Sequence, residues 1–145
     1  MCIQAATKDH IGRYAEIYAR AFSGEPWNDA WSVGDAKVHV SELVESKTFY
    51  GLEYVVDGIV AGILLGTSTL FSYGRTFEIS DLAVDPSFQG QGIGEKLLKR
   101  CTCDMTHAGM VGIHLITASS GYLPEFYAKH GFTREESVML MGIDL

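Results

Sequence analysis

The chain has 145 residues, of which 47% are apolar and 20% are charged, and this length and composition predict one globular domain spanning residues 1–145. Acidic residues outnumber basic residues 18 to 11, which gives a formal net charge of −7. Because a nucleic-acid-binding protein needs a basic surface, this balance argues against nucleic acid and favours either a cationic partner or solubility alone.

The N-terminus and the cysteines give no sign of export, membrane insertion or metal binding. Met1–Gln4 has no basic segment leading into an apolar one, and no run approaches the roughly 20 apolar residues that span a bilayer. Cys101 and Cys103 lie one residue apart in a predicted helix, so their thiols point in different directions. We therefore expect a cytoplasmic protein with free thiols, no membrane partner and no metal site.

Hydrophobic periodicity changes along the first half of the chain from helical to strand-like. From Lys8 to Phe22 apolar residues recur every three to four positions, which is typical of a helix with one buried face. Asp57-Gly58 lies between two runs rich in β-branched and aromatic residues, which is a strong hairpin signal. The pattern predicts a short strand at 3–6, helices at 8–22 and 32–45, and strands at 49–56, 59–71 and 76–84.

The second half alternates strands with helices. Its pattern predicts a helix at 92–108, a strand at 113–118, a helix at 123–130, and two final strands at 132–136 and 138–143. This order of elements predicts an α/β fold in which helices flank a mixed, mostly antiparallel central sheet.

A glycine-rich turn stands between a predicted strand ending at Val84 and the helix that follows. Gly90, Gly92 and Gly94 alternate with other residues. Glycines let the backbone approach a ligand closely, and the first N–H groups of a helix bind anions such as a pyrophosphate. The spacing fits neither the nucleotide loop that ends in Gly-Lys-Ser/Thr nor the G-x-G-x-x-G dinucleotide fingerprint. From the glycines alone, an anion-binding turn is favoured, and a turn that only connects strand to helix is the alternative.

Two motifs resemble the GNAT family of N-acetyltransferases. Gln89, Gly92 and Gly94 match the signature Gln/Arg-x-x-Gly-x-Gly/Ala of its coenzyme-A loop, and Phe126–Phe132 is similar to its Tyr-x-x-x-Gly-Phe segment. The resemblance covers the chain from about Phe49 onward, whereas the first 48 residues match only in being helical. It implies the GNAT-type acyl-CoA N-acyltransferase fold, with acetyl-CoA as cosubstrate.

The resemblance also implies which residues hold acetyl-CoA. Main-chain groups of one strand would pair with the pantetheine arm, and the backbone amides of the glycine-rich turn would hold the pyrophosphate. Ser120 stands where many members carry an asparagine that faces the pantetheine. The implied cofactor-binding residues are Leu82, Ala83, Val84, Gln89, Gly90, Gln91, Gly92, Ile93, Gly94 and Ser120.

Three residues are candidates for proton transfer. Tyr127 resembles the family's general acid, and a phenol with a pKa of about 10 suits protonation of a thiolate; without the motif it would be interpreted as a core tyrosine. Glu78 and Asp81 lie on the predicted central strand and could accept a proton from the amine. Strand alternation places these two carboxylates on opposite faces, and each could equally be a solvated charge.

The loop that follows the first long helix is the predicted acceptor site. Glu25, Trp27, Asp29 and Trp31 combine carboxylates with both tryptophans of the chain. Such a lining suits a cationic amine through cation–π contact and charge pairing, although a hydrophobic plug that anchors the loop is the alternative. The Glu-Pro-Trp-Asn run resembles the corresponding segment of small bacterial enzymes of the aminoglycoside 6′-N-acetyltransferase type.

These observations predict transfer of an acetyl group from acetyl-CoA to a primary amine by direct attack. A small cationic amine such as an aminoglycoside or polyamine is favoured over a protein amine. The alternative is a non-catalytic module that senses acyl-CoA or binds a partner protein. The C-terminal strands of the family often pair between subunits, so a homodimer is a further expectation of the resemblance.

Overall fold

The computed structural model describes residues 1–145. Five strands and four α-helices follow one another along the chain, and two 3-10 turns, Lys8–His10 and Pro86–Phe88, precede α1 and the glycine-rich turn. The elements are β1 (Cys2–Ala5), α1 (Ile11–Phe22), α2 (Val33–Val44), β2 (Phe49–Val56), β3 (Ile59–Phe71), β4 (Gly74–Val84), α3 (Ile93–His107), β5 (Gly112–Leu115) and α4 (Tyr122–Lys129).

The five strands form one sheet in the order β1-β2-β3-β4-β5. Neighbours from β1 to β4 are antiparallel, and β5 is parallel to β4. This confirms the predicted α/β fold with a mixed, mostly antiparallel sheet. The pairing of β4 with β5 covers only Thr76–Ile79 against Gly112–Leu115, so the rest of β4 has no strand partner on that side.

The hydrophobic core lies in two layers, one on each face of the sheet. Helices α1 and α2 cover the first face, where Tyr14, Ile17 and Val40 are fully buried. Helix α3 covers the second face through Leu97 and Leu98, and the aromatic residues of α4 pack at its border. The amphipathic pattern of each long helix explains this arrangement, because burying one apolar stripe is the main source of helix stability in a folded protein.

A β-bulge in β4 corrects the predicted orientation of its carboxylates. Leu65 of β3 pairs with Asp81, but the next residue pairs with Ile79, so Ser80 is an extra residue in β4. An extra residue reverses the alternation of side chains beyond it. Glu78 and Asp81 therefore share the face covered by α1 and α2, and the prediction of opposite faces is wrong.

The last fourteen residues also depart from prediction. The strands expected at 132–136 and 138–143 are not formed, and no residue after α4 joins the sheet. Val138 and Leu140 are 69% and 79% exposed. Their β-propensity predicted a strand, but propensity alone does not create one without a partner edge and a buried face. No helix of the structure is long and apolar enough to cross a membrane.

Candidate active site

A cavity of about 430 Å³ lies where the free edge of β4, the start of α3 and the start of α4 meet, with the α1–α2 loop at its rim. Most of the predicted site residues line it. They are Glu25, Trp27, Leu82, Ala83, Val84, Gln89, Gly90, Gly92, Ile93, Gly94 and Tyr127.

The remaining predicted residues lie around this cavity without lining it. Gln91, Ser120 and Asp29 are exposed outside it, and Trp31, Glu78 and Asp81 are placed on the α1/α2 side. The His, Cys, Asp and Glu side chains do not gather in any group of three or more that could hold a metal ion.

The start of α3 presents unpaired backbone donors to the cavity. The first helical bond runs from the Lys96 N–H to the Gly92 carbonyl at 3.1 Å, so the N–H groups of Ile93, Gly94 and Glu95 have no helical partner. Gly92 holds the left-handed conformation at φ 76°, which a residue with a Cβ adopts only at a cost. Free N–H groups and the helix dipole together make this end an anion-binding site.

A buried carboxylate holds the loop that leads into the glycine-rich turn. Asp85 accepts hydrogen bonds from the Ser87 N–H at 2.8 Å and from Arg13 and Arg20 of α1 at 2.8 and 3.0 Å. Burial opposes ionisation, but the Ser87 N–H and the two guanidinium groups outweigh it and lower the pKa of Asp85. The glycine-rich turn is therefore anchored to α1 by an ionised side chain.

The edge of β4 beyond its pairing with β5 carries main-chain groups that a ligand amide can meet. Leu82, Ala83 and Val84 all line the cavity along this edge. The Gln89 side-chain amide donates to the Val84 carbonyl at 3.2 Å, so that carbonyl already has a partner. This contact ties the first residue of the glycine-rich motif to the end of the strand.

Tyr127 places a phenol in the cavity. Its ring packs edge-to-face on Phe126 and Phe132, with centroids 5.1 and 5.6 Å apart, and its hydroxyl makes no hydrogen bond within the protein. Burial, with a smaller contribution from Tyr122, raises the pKa of Tyr127 to about 12. The side chain is therefore a neutral phenol at physiological pH, with a proton available to a group in the cavity.

The two carboxylates of β4 differ in their surroundings. Asp81 is 4% exposed and lies 2.9 Å from Nε2 of His39 in α2. Glu78 has a half-exposed side chain and lies 3.1 Å from Nε2 of His114 in β5. Each carboxylate therefore has a histidine partner, but only that of Asp81 is held in a buried position.

His39 is a partner of a predicted site residue that the sequence did not reveal. It precedes Asp81 by 42 residues and lies on a different element, so no local spacing links the two. The helical period offered one signal, because His39 stands three residues after Ala36, which is fully buried, and borders the inward face of α2. A histidine at the border of a predicted apolar face could have been recognised as a polar residue close to the sheet.

The two tryptophans of the predicted acceptor loop lie in different environments. Trp27 is 36% exposed, lines the cavity and packs on Phe22 at 5.9 Å between ring centroids. Trp31 turns inward and packs edge-on against Tyr18 at 4.8 Å. One tryptophan is thus available to a ligand, while the other anchors the loop to α1.

Comparison with known proteins matches residues 45–134 to the family model described as an acetyltransferase (GNAT) domain. A curated relative is the N-alpha-acetyltransferase RimI of Mycobacterium tuberculosis (strain ATCC 25618 / H37Rv), 31% identical over 137 residues, with 91% of this chain and 78% of the relative covered.

Solved structures share the fold along nearly the whole chain. An aminoglycoside acetyltransferase from an uncultured soil metagenomic sample, in complex with sisomicin, has a TM-score of 0.78 and 23% identity, with 99% of this chain and 95% of that one covered. An aminoglycoside N-acetyltransferase in complex with CoA has a TM-score of 0.74 and 15% identity over the same shares. The family model covers more than half of the chain and the curated relative agrees with it, so this protein belongs to the GNAT acetyltransferase family.

Proposed function

We propose that this protein transfers the acetyl group of acetyl-CoA to a primary amine by direct attack. One observation carries the proposal: a single cavity brings together the unpaired N–H groups of α3, the free edge of β4 and the phenol of Tyr127. An anion site, a strand edge and a proton donor are the three features that binding and cleavage of an acyl-CoA thioester require.

The geometry supports one direction for acetyl-CoA in the cavity. The pyrophosphate would accept hydrogen bonds from the N–H groups of Ile93, Gly94 and Glu95. The pantetheine arm would extend along Leu82–Val84 and pair with main-chain groups there. This direction brings the thioester toward Tyr127, on the α4 side of the same cavity.

The proposed transfer needs no covalent enzyme intermediate. The neutral amine attacks the thioester carbon, and the C–N bond forms in a tetrahedral intermediate. The C–S bond then breaks, and the Tyr127 phenol protonates the departing thiolate. The new amide nitrogen loses its excess proton to Tyr127, directly or through water. The net proton released is the one that the ammonium loses before it attacks.

Glu78 and Asp81 are the proposed carboxylates on the proton-accepting side. The bulge at Ser80 turns both toward the face that α1 and α2 cover, next to the strand edge that would hold the thioester. The two carboxylates would also attract the acceptor, because negative charge on one face favours the approach of a cationic amine.

A small cationic amine is the proposed acceptor class. Glu25 and Trp27 line the acceptor end of the cavity, where a carboxylate and an aromatic face suit an ammonium group. The net charge of −7 favours a cation over an anion in the encounter. The likeness to two aminoglycoside acetyltransferase structures is in keeping with this class.

A protein N-terminus is the second candidate acceptor. One observation favours it, namely that the curated relative RimI, at 31% identity, is an N-alpha-acetyltransferase. An N-terminal α-amine has a lower pKa, of about 8, than the amines of polyamines, and it needs less help to lose its proton.

The test is a thiol-release assay with acetyl-CoA and a panel of a polyamine, an aminoglycoside and peptides with free N-termini, with the product identified by mass spectrometry. We expect one acetyl group on a small cationic amine, and Tyr127→Phe as an inactive control that still binds CoA. Acetylation of the peptides alone would instead support a protein N-terminus as the acceptor. Tight binding of CoA with no turnover on any amine would instead indicate the non-catalytic acyl-CoA sensor.

A further inference from the structure

We propose that His39 accepts the proton of the acceptor ammonium and that Asp81 positions the imidazole for this step. The proposal rests on the proposed function and names the proton acceptor within it. It moves Asp81 from a candidate base to the residue that holds the base.

The hydrogen bonding of Asp81 is that of a positioning residue. It directly precedes Leu82, which lines the cavity, and only 4% of its surface is exposed. A buried carboxylate normally gathers several donors, but His39 is the only hydrogen-bond partner of Asp81 within the protein. The single charge-assisted contact therefore fixes the orientation of the imidazole.

The orientation of the ring leaves its second nitrogen free. Nε2 of His39 faces Asp81 at 2.9 Å, so in the neutral imidazole the proton lies on Nε2 and the lone pair on Nδ1. No protein group makes a hydrogen bond to Nδ1, and the side chain is 37% exposed. A basic nitrogen with access to solvent can accept a proton and later release it.

A row of aromatic rings connects His39 with the acceptor end of the cavity. Trp27 and Phe22 line the cavity, and their ring centroids lie 5.9 Å apart. Phe22 packs on Tyr18 at 4.6 Å, and Tyr18 packs on His39 at 4.6 Å. Tyr18 is buried and neither it nor His39 lines the cavity, so an ammonium group bound against Phe22 and Trp27 would reach the imidazole through water rather than by direct contact.

Two carboxylates favour proton uptake by His39, and a neutral phenol packs on its ring. Asp81 faces the ring from β4, Glu42 lies on its own helix, and Tyr18 packs on it from α1. The hydrogen bond that Nε2 of His39 donates to Asp81 raises the pKa of His39, although burial opposes it. Burial raises the pKa of Tyr18 to about 12, so this phenol stays neutral and does not compete for the proton.

The proton balance of the step is simple. The substrate ammonium gives one proton, through water, to Nδ1 of His39 and becomes a neutral amine. The imidazolium that forms pairs with the carboxylate of Asp81. The amine then attacks the thioester as described above, and the imidazolium releases its proton to solvent through the exposed part of the ring, which restores the neutral imidazole.

The experiment compares His39→Gln with His10→Gln. His10 also lies against a buried carboxylate, at 2.8 Å from Glu53, but Glu53 has no cavity-lining residue next to it in its strand, whereas Asp81 directly precedes Leu82. With the amine that the wild-type enzyme acetylates, kcat at saturating substrate is measured across pH. We expect His39→Gln to lower kcat by about 100-fold or more and to remove the rising limb of the profile. His10→Gln is expected to keep both.

Asp81→Asn separates the enzyme's titration from that of the substrate. Without the carboxylate the pKa of His39 falls, so the rising limb is expected to move to lower pH. A limb that belongs to the amine itself would not move. If His39→Gln kept the wild-type kcat and limb, with acetyl-CoA binding intact, the proposal would be overturned while the acetyltransferase function stood.

A second measurement requires neither a folded His39 variant nor catalytic turnover. Single His→Gln variants at positions 10, 107, 114 and 130 assign four of the five imidazole resonances, and the remaining one gives the pKa of His39 in the wild-type protein directly. A value above about 6.5 supports the pairing with Asp81, and a value at or below it overturns the proposal. If the wild type acetylates no amine at all, the proposed function fails first, and the titration then reports only whether the pair exists.

Discussion

Two histidine–carboxylate pairs lie on the same face of the sheet, the face covered by α1 and α2. One joins His10 to Glu53 of β2 at 2.8 Å, and the other joins His39 to Asp81 of β4 at 2.9 Å. Glu53 is fully buried and Asp81 nearly so. The distance and the burial are thus almost the same, so neither quantity distinguishes the two pairs.

The partners of each carboxylate make the difference. Glu53 also accepts hydrogen bonds from the Tyr14 hydroxyl and the Gln4 side-chain amide, so its oxygens are saturated. Asp81 has His39 alone and stands beside the free edge of β4. We infer that Glu53, whose oxygens are saturated and which lies away from the cavity, stabilises the fold. Asp81, which has a single partner and lies next to the cavity, is inferred to take part in catalysis.

The largest expected effect sharpens this contrast with two tyrosine variants. Tyr127→Phe removes a phenol that has no protein partner but lines the cavity. We expect kcat to fall by about 100- to 10,000-fold with little change in stability. Tyr14→Phe removes a donor from a buried carboxylate, and we expect a loss of about 1–3 kcal/mol in the free energy of unfolding with kcat unchanged. Steady-state kinetics and denaturant unfolding of both variants measure the two effects.

Acetyl-CoA affinity is the control for the first variant. Tyr127→Phe should bind acetyl-CoA as the wild type does, because the phenol acts after binding. An unchanged kcat would show that Tyr127 is not the acid, and a kcat loss of similar size in Tyr14→Phe would remove the distinction between the two regions.

The acid sensitivity of the fold should trace to Glu53. Burial opposes its ionisation, but the hydrogen bonds from Tyr14, His10 and Gln4 outweigh it and lower the pKa of Glu53. Because its pKa is lowered on folding, ionised Glu53 stabilises the fold. This contribution is fully present at pH values above the unfolded pKa, near 4.5, and is lost as the pH falls through the folded pKa. We expect Glu53→Gln to cost about 1–3 kcal/mol at neutral pH, and the gap to the wild type to narrow in acid.

Thermal unfolding from pH 7 down to about pH 2, through the window below the unfolded pKa, measures this gap. A gap that stays constant over the whole range would show that the Glu53 charge contributes nothing to stability. The prediction concerns the fold alone, so the kcat of Glu53→Gln at neutral pH should remain that of the wild type.

Two glycines with nearly identical backbones separate ligand binding from stability. Gly92 at the start of α3 has φ 76°, Gly58 in the β2–β3 turn has φ 77°, and a Cβ at either position would meet no other atom within 4 Å. Alanine at either site should cost about 1–2 kcal/mol of stability, because L-residues avoid this conformation. Only Gly92→Ala should also raise the Kd of acetyl-CoA, by about 3- to 10-fold, as measured by calorimetry. Equal affinities of the two variants would contradict the placement of the pyrophosphate.

The smallest expected effect concerns the acceptor. Trp27→Leu removes an aromatic face at the cavity, and we expect the KM for the amine to rise about 2- to 5-fold with kcat unchanged. Trp31→Leu removes a ring packed on Tyr18, and its expected effect is a lower melting temperature. An amine KM that responds to Trp31 and not to Trp27 would reverse the roles of the two tryptophans.

Local sequence patterns predicted most of the fold. Strands β2 and β3 have the predicted bounds, since Asp57-Gly58 fixes the turn between them. The glycine-rich turn and the helix after it also stand where they were expected, because backbone conformation there depends on the glycines themselves. These features are set by residues close to one another in the chain.

Features that depend on distant partners were not predictable. The bulge at Ser80 is visible only in the pairing of β4 with β3, and it decides which face Asp81 occupies. The contact between His39 and Asp81 joins two elements that no periodicity links. The C-terminal strand pattern around Val138 and Leu140 failed for the opposite reason, since a suitable local sequence found no partner edge.

A structure of the protein with acetyl-CoA bound tests the central claim most directly. We expect the pyrophosphate within hydrogen-bonding distance of the N–H groups of Ile93, Gly94 and Glu95, and the thioester sulfur beside the Tyr127 hydroxyl. A pyrophosphate bound away from the start of α3, or a thioester on the side of the sheet remote from Tyr127, would contradict it.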